Sequence, residues 1–262
     1  MRHVILSLLF TVPGLLALQP KPALDCNHQG DHHRAGHFCE IREQSMAAGG
    51  MLNVDASQNG GISVKGWDRT DVLVRAQVQA QAETDDEARE LARQVTVQAG
   101  GTQVRAVGPT TTGRDRGWSV SYEVFVPVRS SVNLQTVNGG VSLSDVNGNL
   151  EFRTTNGGLS LHRVAGYVHG QTTNGGVSIE LAGDHWDGQG LDVRTVNGGL
   201  KLKVPQGYSA QFDASTQNGG VKSEVAELQP ADRRTNHLGG ALGRGGAMVK
   251  VATVNGGVTI SR

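Results

Sequence analysis

Thr154-Thr155-Asn156-Gly157-Gly158-Leu159-Ser160-Leu161 is followed, eighteen residues on, by Thr172-Thr173-Asn174-Gly175-Gly176-Val177-Ser178-Ile179. The frame Thr-x-Asn-Gly-Gly-[Val/Leu]-x-[Leu/Ile] returns at Asn138, Asn156, Asn174, Asn197, Asn218 and Asn255, with an outlying copy at Asn59 and a half-strength one at Asn147. Self-similarity at a period near 20 residues marks a repeat architecture, in which each copy buries its apolar face only against its neighbours. Successive Asn residues from Asn138 to Asn218 are separated by 18, 18, 23 and 21 positions. The last interval, 37, divides into 20 and 17 if Gly239-Gly240 marks a copy that has lost its Asn.

Aligning the copies assigns each position a task. Two residues before the Asn stands Thr every time: Thr136, Thr154, Thr172, Thr195, Thr216 and Thr253. Three after it come Val141, Leu159, Val177, Leu200, Val221 and Val258, and five after it Leu143, Leu161, Ile179, Leu202, Ser223 and Ile260. The position between is always polar: Ser142, Ser160, Ser178, Lys201, Lys222 and Thr259. A period of two is that of a strand with one dry and one wet face. Asn147-Gly148 and Ala165-Gly166 fall nine residues into the first two periods, so each period holds two strands and two bends.

Two architectures satisfy this pattern. In a meander, Asn-Gly supplies the two positive φ angles of a type I′ hairpin turn. In a solenoid, each period is one coil stacked on the last, with Asn and Thr forming ladders along the stack. The meander leaves an apolar face with nothing in the second half of the chain to cover it, whereas the solenoid closes that face on itself. The solenoid is favoured, with the second Gly of each motif providing space at a tight corner.

The N-terminal half reads differently. Met51 to Gln81 alternates as half-buried strands around Asn59-Gly60-Gly61. Thr84-Asp85-Asp86-Glu87 is a capping box, and Ala88, Leu91, Ala92 and Val95 follow at helical spacing. Strands resume at Gln103 to Val107 and Trp118 to Val126, separated by the polar loop Pro109 to Gly117. The expectation is an all-β chain, a β-solenoid or β-helix-like stack with an N-terminal β region carrying one short α-helix. Its divisions are 1–18 (export signal), 19–45 (a Cys/His-containing segment), 46–130 (the N-terminal β region) and 131–262 (the repeat).

Composition agrees with a narrow core: 37 of 262 residues are Gly and only 4% are aromatic. Lys plus Arg equals Asp plus Glu at 24 each, which removes the basic footprint of nucleic-acid binding and disfavours an anionic membrane surface. Arg2 and His3 precede an apolar run from Val4 to Leu18 that is interrupted by Pro13 and is short for a membrane span. The mature protein is expected outside the cytoplasm, periplasmic or secreted, without an integral span once the signal is cleaved. In that compartment Cys26 and Cys39 are expected to pair, closing a loop worth roughly 3 kcal/mol in the chain-entropy model. A metal site built from the same cysteines with His28, His32, His33 and His37 is the alternative.

Chemistry-bearing groupings are few. In a stack, His162 falls beside Glu180 of the next coil and two positions from Ser160, giving a Ser160/His162/Glu180 polar patch on the wet face. Its plain reading is a solvated surface, because a flat strand offers neither an oxyanion hole nor shelter from water. Polysaccharide-cleaving β-helix enzymes need clustered carboxylates, and the wet column carries Ser and Lys instead. Asp184-His185-Trp186-Asp187 occupies the longest early period, either as a turn with a packed Trp or as a sugar- or metal-contacting loop. Arg233, Arg234 and Arg244, near Gly pairs, form a candidate anion cradle.

These features together resemble a known family. The export signal, Cys39-Glu40-Ile41-Arg42-Glu43, Gly60-Gly61-Ile62-Ser63-Val64-Lys65-Gly66-Trp67-Asp68, Trp118 to Pro127 and the serial Asn-Gly-Gly copies are similar to the bacterial β-strand-repeat family described as putative adhesins. The resemblance implies an envelope-associated or secreted β-helical domain with no catalytic residues to carry over and no cofactor. The functional expectation is a non-enzymatic structural or binding module for envelope or extracellular polysaccharide or protein. A carbohydrate-active enzyme and a self-associating scaffold are the alternatives, the last because the Asn255 copy shows no cap.

Overall fold

The computed structural model describes residues 24–26, 35–111, 115–229 and 235–262. The expected signal, and His28, His32 and His33 of the metal alternative, lie outside the described residues. The N-terminal half contains β1 (Gly36–Ala47), β2 (Met51–Asp55), β3 (Ile62–Trp67), β4 (Asp71–Ala82), α1 (Asp85–Gln94), β5 (Thr96–Gly100), β6 (Gln103–Val107) and β7 (Gly117–Pro127). The repeat continues with β8 (Ser131–Asn138), β9 (Val141–Ser144), β10 (Asn147–Asn156), β11 (Leu159–His162), β12 (Ala165–Asn174) and β13 (Val177–Glu180). It closes with β14 (Gly190–Asn197), β15 (Leu200–Lys203), β16 (Ala210–Asn218), β17 (Val221–Ser223), β18 (His237–Leu242), β19 (Met248–Asn255) and β20 (Val258–Ser261).

The strands form two ten-stranded sheets: sheet I in the order β1-β4-β7-β3-β9-β11-β13-β15-β20-β17, and sheet II in the order β18-β16-β19-β14-β12-β10-β8-β2-β6-β5. Each repeat supplies a longer strand to sheet II, turns at Asn-Gly-Gly, and supplies a short strand to sheet I. Neighbouring copies pair in parallel with motif residues in register: Thr154 opposite Thr172 and Asn156 opposite Asn174, then Thr195 and Asn197. Parallel pairing rules out the hairpin meander. The Asn59 copy is itself a coil, with β2 beside β8, β3 beside β9 and Asn59 bridged to Asn138.

Why the corner demands this sequence follows from its contacts. A Cβ added to Gly175 would fall 2.0 Å from the Gly157 carbonyl oxygen, and one on Gly157 would fall 2.0 Å from that of Gly139. The second Gly has room, since a Cβ on Gly176 would find its nearest atom at 3.6 Å. The first Gly, not the second, therefore permits the close approach. The carbonyl it exposes is claimed by the buried Thr of the next coil: Thr172 Oγ1 donates to Gly157 O at 2.8 Å, and Thr154 Oγ1 to Gly139 O at 2.8 Å. On the outside of the corner the Asn amides form an unbroken ladder, each Nδ2 donating to the Oδ1 of its neighbour from Asn59 through Asn138, Asn156, Asn174, Asn197 and Asn255 to Asn218 at 2.7–3.0 Å. The opposite corner uses left-handed residues, Asp145 (φ 61°) and Arg163 (φ 50°), joined by a two-pronged ion pair at 2.7 and 2.8 Å.

Inward columns of Val, Leu and Ile fill the space between the sheets, including Val141, Leu159, Val177, Leu143, Leu161 and Ile179. Large rings are accommodated by local gaps: Gly170 lies opposite Phe152, and a Cβ there would meet that ring at 1.8 Å. At one end α1 buries Ala88, Leu91 and Ala92, and its Thr84 cap accepts from Glu87 N at 3.3 Å. Arg42 of β1 donates to the terminal carbonyl of Ala92 at 2.9 Å and to that of Val95. β1 was not anticipated as a strand.

The order of coils departs from sequence at the other end. β19 lies between β14 and β16, and β20 between β15 and β17, so the Asn255 copy is the penultimate coil and not the last. Gly239 and Gly240 do not mark a degenerate coil, since β18 runs antiparallel to β16 and closes that edge of sheet II. The expectation of an uncapped Asn255 end is corrected accordingly. We expect Gly175→Ala to lower stability by about 3 kcal/mol through its backbone clash, while Gly176→Ala stays within about 0.5 kcal/mol. Paired urea titrations read the difference.

Candidate functional site

The outer face of sheet I brings the three sequence-predicted polar residues together. Ser160 Oγ lies 3.1 Å from His162 Nε2, and His162 Nδ1 lies 3.2 Å from Glu180 Oε2. Lys203 Nζ holds the other carboxylate oxygen at 3.3 Å. The Lys203 hydrogen bond first, then that from His162, keeps the Glu180 carboxyl below the usual carboxylate range, so it is ionised at neutral pH. The connectivity is that of a nucleophile, base and orienting acid. Its surroundings are not those of a hydrolase: the His162 and Glu180 side chains are about 40% exposed. β11 is flanked by β9 and β13 in a parallel ladder, so its amides are committed to the sheet and unavailable as oxyanion donors.

Beside this patch, Leu24 overhangs a shallow hollow of about 490 Å³ floored by the serine column, including Ser63, Ser142 and Ser160. Cys26 and Cys39 form a disulfide with a Cα–Cα distance of 5.6 Å, which ties this segment to β1 and removes both thiolates as metal ligands. The Gln77 amide donates to the Asp25 carbonyl, adding a second tether. Among the described residues no helix is long and apolar enough to cross a membrane.

The larger concavity lies on the opposite sheet, away from the residues that the sequence singles out. A groove of about 700 Å³ crosses five successive coils of sheet II, from β10 through β12, β14 and β19 to β16. One wall is the row one residue before each Asn, with Thr155, Thr173, Val196, Val254 and Gln217; the other is the row three before it, with Arg153, Gln171, Arg194, Ala252 and Ser215. Lys250 enters past the small Ala252 on the same strand. Arg194 is gripped by Asp192 through two contacts of 2.9 and 2.7 Å that use Nε and Nη2, leaving the Nη1 donors free. Asp192, Asp213 and Glu151 stand one column farther out and do not line the groove. Extending the alignment of copies upstream of the Thr exposes this Arg/Gln/Arg row; aligning only downstream of the Asn hides it.

The remaining loop features resolve simply. Trp186 is 5% exposed and donates its indole N–H to the Gly166 carbonyl at 3.0 Å, so it is packed and offers no stacking face. Asp184 pairs with His185 at 2.6 Å, while Asp187 accepts from Asn147 at 2.8 Å on another coil. Of the candidate anion cradle, Arg233 and Arg234 lie outside the described residues. The backbone of Arg244 donates to Ser209 Oγ at 3.3 Å.

The sequence model of the Toastrack DUF4097 family matches residues 52–261, and the chain belongs to that family. Among solved structures it is similar to a putative cell adhesion protein from Clostridium sporogenes, at 10% identity and a TM-score of 0.49, over 86% of this chain and 99% of that one. It is also similar to a putative adhesin from Bacteroides fragilis, at 9% identity and a TM-score of 0.35, over 85% of this chain and 96% of that one. A third, a putative lipid binding protein from Parabacteroides distasonis, shares 7% identity at a TM-score of 0.29, over 86% and 96%. No curated protein matches the sequence.

If the Ser160 patch is a surface network without catalytic power, a fluorophosphonate probe will leave Ser160 unlabelled, and His162→Ala will not change ester turnover above the buffer rate. Stoichiometric labelling of Ser160 that His162→Ala abolishes would reverse that assignment.

Proposed function

We propose that the protein is a non-enzymatic, adhesin-like binding module of the bacterial cell envelope that holds an extended polymer in the sheet II groove. The observation that carries this is the groove itself: five rigid coils present the same two outward rows, so a chain laid across the strands meets a repeating set of donors and acceptors. Thr hydroxyls, a Gln amide and guanidinium groups line it, and such groups suit a hydroxyl-rich polymer better than an apolar ligand. Family membership and the disulfide support an extracytoplasmic setting, since such bonds persist in oxidising compartments.

A polysaccharide-cleaving enzyme would need convergent carboxylates. Here the acidic groups beside the groove are occupied: Asp192 by Arg194, and Asp213 by His237 at 3.5 Å and Lys250 at 3.9 Å. Among the described residues no group of three or more His, Cys, Asp or Glu side chains is placed to hold a metal ion. The mature protein, immobilised and offered an array of envelope and extracellular polysaccharides, should retain polymer whose mass distribution is unchanged on elution. Shortened polymer would favour an enzyme, and retention of none would favour a protein partner or a scaffold.

A further inference from the structure

We infer that the groove's polymer is an acidic polysaccharide carrying a negative charge on alternate sugars, a reading that rests on the polymer-binding proposal above and narrows it. Arg153 on β10 and Arg194 on β14 occupy equivalent positions with Gln171 of β12 between them, so they stand two coils apart. With strands spaced about 4.8 Å, that separation is about 10 Å. An extended β-linked pyranose chain advances by about the length of one sugar ring per residue, a distance comparable to one strand spacing. Two guanidiniums at this interval thus address every second sugar, and Gln171 faces the neutral one between them.

The charge balance inside the groove is one-sided. Among the described residues Arg153 is exposed and forms no ion pair or hydrogen bond, and Arg194 keeps its Nη1 donors free of Asp192, while Lys250 is shared with Asp213 at 3.9 Å. All three line the groove and, among the described residues, no Asp or Glu does, Asp192 and Asp213 flanking Lys250 at its margin. A guanidinium meets a carboxylate or sulfate through two parallel hydrogen bonds, which ties affinity to orientation. The flanking Thr155 and Thr173 hydroxyls and the Gln171 amide complement sugar hydroxyls. Single-stranded nucleic acid fits less well, because the lining contains no aromatic ring on which a base could stack and the chain has no net charge.

The test measures binding of the intact mature protein to hyaluronan oligosaccharides (one carboxylate per disaccharide), chitohexaose (neutral) and oligo-dT, each with the unaltered chain and with Arg153→Gln/Arg194→Gln. Both arginines are exposed, so an unchanged melting temperature is expected and confirms that the variant folds. Hyaluronan should bind about tenfold or more tightly than chitohexaose, weaken with added salt, and lose that advantage in the double variant. Equal binding of chitohexaose, untouched by the substitutions, would overturn the acidic-sugar inference while leaving the polymer-binding proposal standing. Failure of every polymer to bind would overturn both. Oligo-dT binding as tight as hyaluronan and equally dependent on the arginines would mark a general polyanion surface and overturn the inference.

Discussion

Everything in this fold depends on how closely two backbones approach at the Asn-Gly-Gly corner. Stacking coils at strand spacing brings the first Gly of one copy against the carbonyl of the first Gly in the next, leaving about the room of a hydrogen. That contact would leave a carbonyl stranded in a dry corner, where an unsatisfied group costs roughly 1–3 kcal/mol. The Thr hydroxyl two residues before each Asn satisfies it. Serine could donate the same bond, but the Thr methyl also fills the buried corner. Val would fill it and leave the carbonyl unpaired. Thr at this place in the six full copies is the outcome of both demands acting at once, the Asn59 copy having Ser57 there.

Much of this was legible because a repeat turns one sequence into several readings of one position. The alternation after each Asn, repeated across copies, separated inward Val and Leu from outward Ser and Lys without ambiguity. The role of the glycines was harder: both are equally regular, and only coordinates show that a Cβ on Gly157 or Gly175 would fall 2.0 Å from backbone while one on Gly158 or Gly176 would stay 3.2 or 3.6 Å away. The position of the Asn255 coil was also hidden, since each coil offers the same parallel edge and nothing local specifies which neighbour it takes. β1 escaped notice because Cys39 to Ser45 lacks strict alternation, being paired to β4 along a face that is only partly covered.

The same regularity accounts for the Ser160, His162 and Glu180 geometry. On a parallel ladder, a polar residue, its neighbour two positions along, and the equivalent position of the next coil lie within hydrogen-bond reach by construction. A triad-like arrangement is therefore inexpensive in this fold and says little about catalysis unless the fold also supplies donors for developing charge. The strands that create the proximity consume the amides that an oxyanion hole requires. The groove differs in kind, because it draws its character from many coils at once and needs no single strained residue.

The displaced Asn255 coil links the order of the coils to the assembly of the site. β16 and β17 reach the rest of the stack only through β19 and β20, and the Asn ladder reaches Asn218 only through Asn255. Among the described residues, β16 and β17 thus have no parallel strand partner until residues 248–262 are seated, Ser209 bridging separately to His185. Closing the 58-residue interval from Asn197 to Asn255 adds only a logarithmic entropic penalty, so the non-sequential order is tolerable. Ordinary solenoids lose stability coil by coil from their ends. Here the terminal coil is locked by the one that follows it in sequence, and that locking coil also contributes Lys250 and Thr253 to the groove. The groove spans all five coils only when residues 248–262 lie between the Asn197 coil and the Asn218 coil, which they join to the stack.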